Sequence, residues 1–242
     1  MTPGAQTVDG LTAIPAALRW IGAILFVVAV PLFIILGNVL DVAGDREFYQ
    51  REFGLYGVGR VTSLDYGQLR TVADAFITYL KDPTAKLDVV VTIGGSPRPL
   101  FNQKEISHME DVQGIFTLVR RLRLIAGSIL LILPLIGLTI GGSGFMPKLG
   151  TLLTIGGIVT VVLLGLAGLL SFVDFTQAFI AFHEMAFSND NWMLDPRTDY
   201  LIMLFPEGFW FDAVMRIAML SAIEAVVIGG VGVALAFFGR RR

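Results

Sequence analysis

The chain carries only two histidines, and each stands in a motif rich in acids and amides. In "QKEISHMEDVQGIF", residues 103 to 116, a helical reading puts Glu105, His108 and Asp111 at i, i+3 and i+6, opposite an apolar side of Ile106, Met109, Val112 and Phe116. In "AFHEMAFSNDNWMLDP", residues 181 to 196, His183 stands beside Glu184 and precedes Asn189, Asn191 and Trp192. Phe175, Phe179, Phe182, His183 and Phe187 follow the 0, 4, 7, 8, 12 rhythm of one helix face. An imidazole titrating near 6.5 can take up or release a proton at working pH, so the chemistry on offer is proton transfer. Each motif also has a plainer reading, the first as a solvated polar stripe and the second as a packing histidine in an aromatic face. "HEMAF" lacks the second histidine of a zinc-protease HExxH, and no GxSxG, phosphate-binding loop or dinucleotide fingerprint occurs. With no cysteine, thiolate chemistry is excluded, and any metal would rest on histidine and carboxylate ligands.

The elements that must position these residues belong to a membrane protein. Of 242 residues 55% are hydrophobic and 16% charged, and the mean hydropathy of +0.73 exceeds that of a soluble domain. Four stretches match the ~20 apolar residues a bilayer core requires: 18–40, 122–145, 149–173 and 213–238. The expected fold is mainly α, a polytopic membrane protein of four transmembrane helices with a small α+β extracytoplasmic domain inserted between helices 1 and 2. The first stretch exceeds a signal-peptide core in length and lacks a basic leader, so it reads as an anchor. Pro31 and Pro134 are expected to kink their helices.

Charge sets the expected orientation. Arg19, Lys148 and the tail arginines 240 to 242 face only Asp9 on one side, whereas 174–212 holds seven acids against Arg197. Residues 1–17, 146–148 and 239–242 are therefore expected to be cytoplasmic, and 41–121 and 174–212 extracytoplasmic. Within 41–121, "LRTVADAFITYL" reads as a helix burying Leu69, Val72, Ala73, Phe76 and Leu80 and stopping at Asp82-Pro83. "LDVVVTIGGSPRPLF" reads as a strand, a Gly-Gly-Ser-Pro turn and a short return. Glu224 inside the last span is costly in lipid, and is either functional or a hydrogen-bonded acid between helices. Arg120, Arg121 and Arg123 suit lipid headgroup phosphates, although interfacial snorkelling is the commoner explanation of such a cluster.

The segments "EISHMEDVQGIF" and "AFHEMAFSNDNWMLDPRTDYLIMLFPEGFWFD", in a four-span chain with a large first outer loop, resemble the bacterial lipoprotein intramolecular transacylase (Lit) family. The layout matches over nearly the whole chain, and the specific part is the two motifs, each with one of the two histidines. This resemblance implies a cell-membrane acyltransferase that acts on diacylglyceryl-modified bacterial lipoproteins and moves the sn-2 acyl chain to the α-amino group of the N-terminal cysteine. It also implies His108 and His183 as the catalytic pair, working at the extracytoplasmic face. Chemically, the attacking amine belongs to the substrate, so no protein nucleophile is needed, and proximity within the active site supplies much of the rate.

The expected roles are His183 as general base oriented by Glu184, and His108 as donor to the oxyanion or leaving oxygen, supported by Glu105 or Asp111. The division could be reversed. Asn189, Asn191, Trp192, Arg120, Arg121 and Phe182 are candidate substrate contacts, and membrane lipids are expected partners. No cofactor, metal or nucleic-acid partner is expected. The competing readings are a metal-dependent membrane hydrolase holding its ion on His108, His183 and Glu184, and a transporter or sensor in which both histidines are structural.

Overall fold

The computed structural model describes residues 15–241. The expectations for the N-terminal tail through residue 14, with Asp9, and for Arg242 lie outside the described residues. The described residues are mainly helical, with one two-stranded antiparallel sheet. In chain order it contains α1 (Ala16–Ala43), α2 (Arg46–Leu55), α3 (Val58–Thr62), α4 (Tyr66–Lys81), β1 (Val90–Ile93), β2 (Ser96–Pro99), α5 (Gln103–Gly141), a 3-10 turn (Gly142–Phe145), α6 (Met146–Val173), α7 (Phe175–Ala186), α8 (Tyr200–Leu204) and α9 (Glu207–Gly239). Among the described residues, three helical stretches are long and apolar enough to cross a membrane: Ala16–Ala43, Gln103–Val173 and Glu207–Gly239. The middle one contains α5 and α6, and its break falls at Gly142–Phe145 rather than at residues 146–148. Gly-Ser-Gly weakens the helix there, and Pro147 is tolerated in the first turn of α6 because its missing N–H would have no intrahelical partner. Pro31 and Pro134 both lie inside continuous helices.

Two compact units divide the described residues. The first comprises residues 15–37, 121–166 and 219–241. Its core is Phe26, Val30, Ile34 and Ala225, with Leu130, Leu133, Leu152 and Ile228 packed against it. The guanidinium of Arg123 lies over the Phe33 ring, 5.3 Å from its centroid, beside the helix surface at Gly37. Helices α6 and α9 run antiparallel along a seam of small residues, because Gly150 meets Gly232 and Ala236 whereas Gly157 meets Ala225 and Gly229. A methyl group at Gly150 would run into the backbone of Ala236 and Gly232. Lipid tails are as apolar as leucine, so close backbone approach, not apolar burial, holds such a pair together. Glu224 lies exposed on α9, a placement that gives no support to a polar pathway.

Residues 38–120 and 167–218 form the second unit. Helix α4 starts at a capping box in which Asp65 and Gln68 satisfy each other's backbone donors. Leu69, Val72, Ala73, Phe76 and Leu80 are buried, as the periodicity predicts, and the helix stops at Asp82. The hairpin is tighter than predicted. Gly94 and Gly95, with φ of 62° and 83°, make the whole turn, and Ser96-Pro97 already belongs to β2. An aromatic cluster of Phe48, Tyr49, Phe53, Phe205 and Phe209 joins α2 to the start of α9, with ring centroids 5.0 to 6.4 Å apart.

Candidate active site

His108 sits in the second turn of α5, and what fixes that end of the helix is a reciprocal cap. The Glu105 N–H donates to the Asn102 side chain at 3.1 Å, and the Asn102 N–H donates back to the Glu105 carboxylate at 2.7 Å. The other carboxylate oxygen accepts the Leu201 N–H at 2.6 Å, so one side chain, 1% exposed, ties the start of α5 to that of α8. The Asn102 amide also donates to Asp199, whose second oxygen accepts the Asp195 N–H. Glu105 therefore serves the backbone and makes no hydrogen bond to His108. Burial pushes its carboxyl above the usual range, against the lowering effect of the N–H donors.

His183 lies on α7, which Asp174 caps by accepting the Gln177 N–H. Its Nδ1 is 2.7 Å from the Phe179 carbonyl oxygen. A carbonyl only accepts, so Nδ1 carries the hydrogen and the lone pair of the neutral ring is on Nε2. This replaces the predicted Glu184 contact: Glu184 is exposed, and the backbone one turn earlier orients the ring.

The two imidazoles lie with centroids 5.9 Å apart and planes 35° from parallel. Both are buried, at 7% and 8% exposure, so the stripe on α5 is not solvated at His108. Aromatic rings enclose the pair. Phe187 lies 4.9 Å from His108 and 5.5 Å from His183, and Phe179, Phe182 and Trp192 lie 4.2, 5.4 and 5.1 Å from His183. Phe187 acts from just beyond α7, as its C-cap, and not from within the helix. The side of Phe182 away from His183 is open, the residue being 48% exposed.

Burial first, and the charge of His183 second, lower the His108 pKa to about 4, with Asp111 opposing. Burial lowers that of His183 as well, against the raising effect of the Phe179 carbonyl. Both rings are thus neutral at physiological pH and able to accept a proton. The Nδ1 atom of His108 is buried without a hydrogen-bond partner. Such a nitrogen costs stability and keeps its hydrogen-bonding capacity unspent.

The amide candidates act from the loop after α7. Asn189 donates to Asp111 at 2.9 Å and accepts the Asn191 N–H at 3.0 Å, while Asn191 donates to Ser107 at 3.1 Å. Lys104 donates to the Met193 carbonyl. The loop is therefore pinned to α5 on both sides of His108, and this pinning seats Trp192 against His183. Asp111 is spent on Asn189. Ser107, Lys104 and Asn102 were not predicted as site residues; only the Asn-x-x-Glu spacing of 102 to 105 signals the cap in the sequence. Arg120 does not join the pair, since it lies about 18 Å farther along α5, and its guanidinium donates to the Leu80 carbonyl and Thr117 hydroxyl. Arg121 is exposed.

Solved structures share this fold. A solved structure of the membrane-integral lipoprotein intramolecular transacylase Lit from Bacillus cereus matches with a TM-score of 0.80, covering 94% of this chain and 100% of the other at 19% identity. The same protein bearing a histidine-to-alanine substitution matches at 0.75, over 93% and 97% of the two chains and again at 19% identity. At that identity the likeness is one of fold. An uncharacterized protein of Aquifex aeolicus (strain VF5) is 27% identical over 128 residues, 53% of this chain and 54% of its own length, so the alignment spans about half of that relative. The family model for lipoprotein intramolecular transacylase Lit matches residues 24–210, which include both histidines, the cap at 102–105 and the pinned loop. The chain belongs to the lipoprotein intramolecular transacylase Lit family.

Proposed function

We propose that this membrane protein catalyses an O-to-N acyl shift on diacylglyceryl-modified lipoproteins, moving the sn-2 acyl chain to the α-amine of the N-terminal cysteine. The observation that carries the reading is the pair of buried, neutral imidazoles 5.9 Å apart in an aromatic enclosure. A second support is family membership over residues 24–210. The proposed topology has four crossings, with α5 and α6 spanning separately, the ends of the chain cytoplasmic and the histidines extracytoplasmic. Its support is the helix break at Gly142–Phe145 and the uneven distribution of charge.

His183 Nε2 takes a proton from the amine as nitrogen attacks the sn-2 ester carbon. Its Nδ1–H bond to Phe179 holds the ring and stabilises the imidazolium that forms. The His108 N–H hydrogen-bonds to the tetrahedral oxyanion and then to the departing sn-2 oxygen, and the proton held on the His183 imidazolium passes to that oxygen as it leaves, so that both rings end neutral. The N–C bond forms, the C–O bond breaks, and the proton lost by nitrogen is balanced by the one gained by the alcohol. One charged ring at a time is what so close a pair favours, because the charge of one opposes that of the other. Phe182 and Trp192 would line the acyl path, and the pinned Asn189 and Asn191 would hold Trp192 in place.

The test is mass spectrometry of a lipoprotein N-terminus from cells carrying the wild-type gene, His108→Ala or His183→Ala. An N-acylated monoacylglyceryl peptide is expected with the wild type alone, with all three proteins inserted at equal levels. Unchanged diacylglyceryl cysteine in wild-type cells sinks the reaction, and full conversion by either variant removes that ring from it.

A further inference from the structure

A cavity of about 200 Å³ lies among the C-terminal ends of α1 and α4 and the middle of α5, well along α5 from the histidines. Leu40, Leu80 and Phe116 form its apolar side, and Asp41, Lys81 and Arg120 its charged side. Neither cation is ion-paired among the described residues. Arg120 donates to a carbonyl and a hydroxyl, which are neutral acceptors, and Lys81 forms no ion pair among the described residues. Asp41 is the one carboxylate in the lining, so the cavity retains a net positive charge. A side chain at Gly44 would stand 3.0 Å from Lys81 Cε, so this glycine is what lets the lysine stem lie flat against the end of α1.

The position of the cavity along the sequence sets its depth in a bilayer. The apolar run of α1 ends at Leu40, and that of α5 begins at Leu122. Lys81 and Arg120 therefore stand where hydrocarbon gives way to headgroups, the level of a phospholipid's phosphate. We infer that this cavity binds the headgroup phosphate of a bilayer phospholipid, gripped between Lys81 and Arg120, with the first acyl methylenes on Leu40, Leu80 and Phe116. Its volume is below the ~300 Å³ at which drug-sized sites begin, so it accommodates a headgroup and not a whole lipid. A diacylglyceryl lipoprotein has no phosphate at this position, so the ligand is a lipid distinct from the proposed substrate.

Binding tests the inference directly, without reference to turnover. Full-length protein in nonionic micelles is titrated with dioctanoyl phosphatidylglycerol, dioctanoylglycerol or inorganic phosphate, and complexes are counted by native mass spectrometry. Saturable one-to-one binding of the phospholipid is expected, with affinity falling about tenfold for each cation neutralised in Lys81→Gln and Arg120→Gln. Dioctanoylglycerol and inorganic phosphate should bind at least tenfold more weakly. If Arg120→Gln fails to fold, Lys81→Gln alone must show its tenfold loss. Undiminished binding by Lys81→Gln overturns the inference, as does an equal loss on replacing the exposed Arg121 by glutamine. Inorganic phosphate binding as tightly as the phospholipid makes this a free-anion site and overturns the lipid assignment.

Discussion

Removing the titration of His108 should remove a defined part of the protein's acid sensitivity. The ring is 7% exposed, and its pKa falls from an ordinary 6.5 to about 4. Below pH 6.5 the unfolded chain takes up a proton that the folded ring refuses, so stability falls as the medium is acidified. The loss accumulates between pH 6.5 and about 4 and is complete below that. Between pH 7 and pH 5 this ring should cost about 2 kcal/mol, a large part of the 5–15 kcal/mol typical of a folded protein. Reversible unfolding in mixed micelles at the two pH values measures it, comparing wild type with His108→Asn, which keeps a polar side chain and does not titrate. The variant should lose about 2 kcal/mol less on acidification. His183 titrates in both proteins, so its direct contribution cancels in the comparison. Equal losses in the two proteins would show that His108 is not held neutral by its surroundings, and the assignment of a neutral pair would go with it.

Glu105→Gln keeps one acceptor oxygen for the two backbone donors at 102 and 201, and should cost about 2 kcal/mol of stability while leaving turnover, measured well below the melting temperature, within a few-fold of wild type; loss of turnover without loss of stability would make Glu105 a chemical participant. Gly150→Leu should destabilise the α6–α9 pair by about 3 kcal/mol or more, because backbone cannot move aside, whereas Gly165→Leu, at a position with open space around it, should be close to neutral in thermal unfolding. Turnover should survive prolonged exposure to EDTA; loss of activity that zinc restores would favour metal-assisted hydrolysis instead.

The parts of the fold that repeat at a fixed period could be read from the sequence. The apolar face of α4 is one, because five residues recur at helical spacing above a visible Asp-Pro stop. The Gly-Gly hairpin and the apolar runs are others. Helices α2, α3 and α8 were not anticipated: "REFYQREFGLYGVGR" mixes charges, aromatics and glycines without a clean period, and its aromatics gain their meaning from Phe205 and Phe209 far along the chain. At the site, the types and proximity of the two histidines could be anticipated, but their partners could not. His183 is oriented by a main-chain carbonyl, which no residue name discloses. Glu105 shares a helix face with His108 and still serves two N–H groups, one of them 96 positions away. Spacing tells which side chains are neighbours on one helix; competition among distant donors decides which contact forms.

The tight seam where Gly150 and Gly157 meet α9 also limits traffic. With main chain pressed on main chain, no gap wide enough for a hydrocarbon tail exists along that stretch, and prying it open would forfeit the contacts that hold the pair. A fatty chain sliding in sideways from the bilayer must therefore choose some other route, so cross-linking α6 to α9 there should leave substrate entry unhindered.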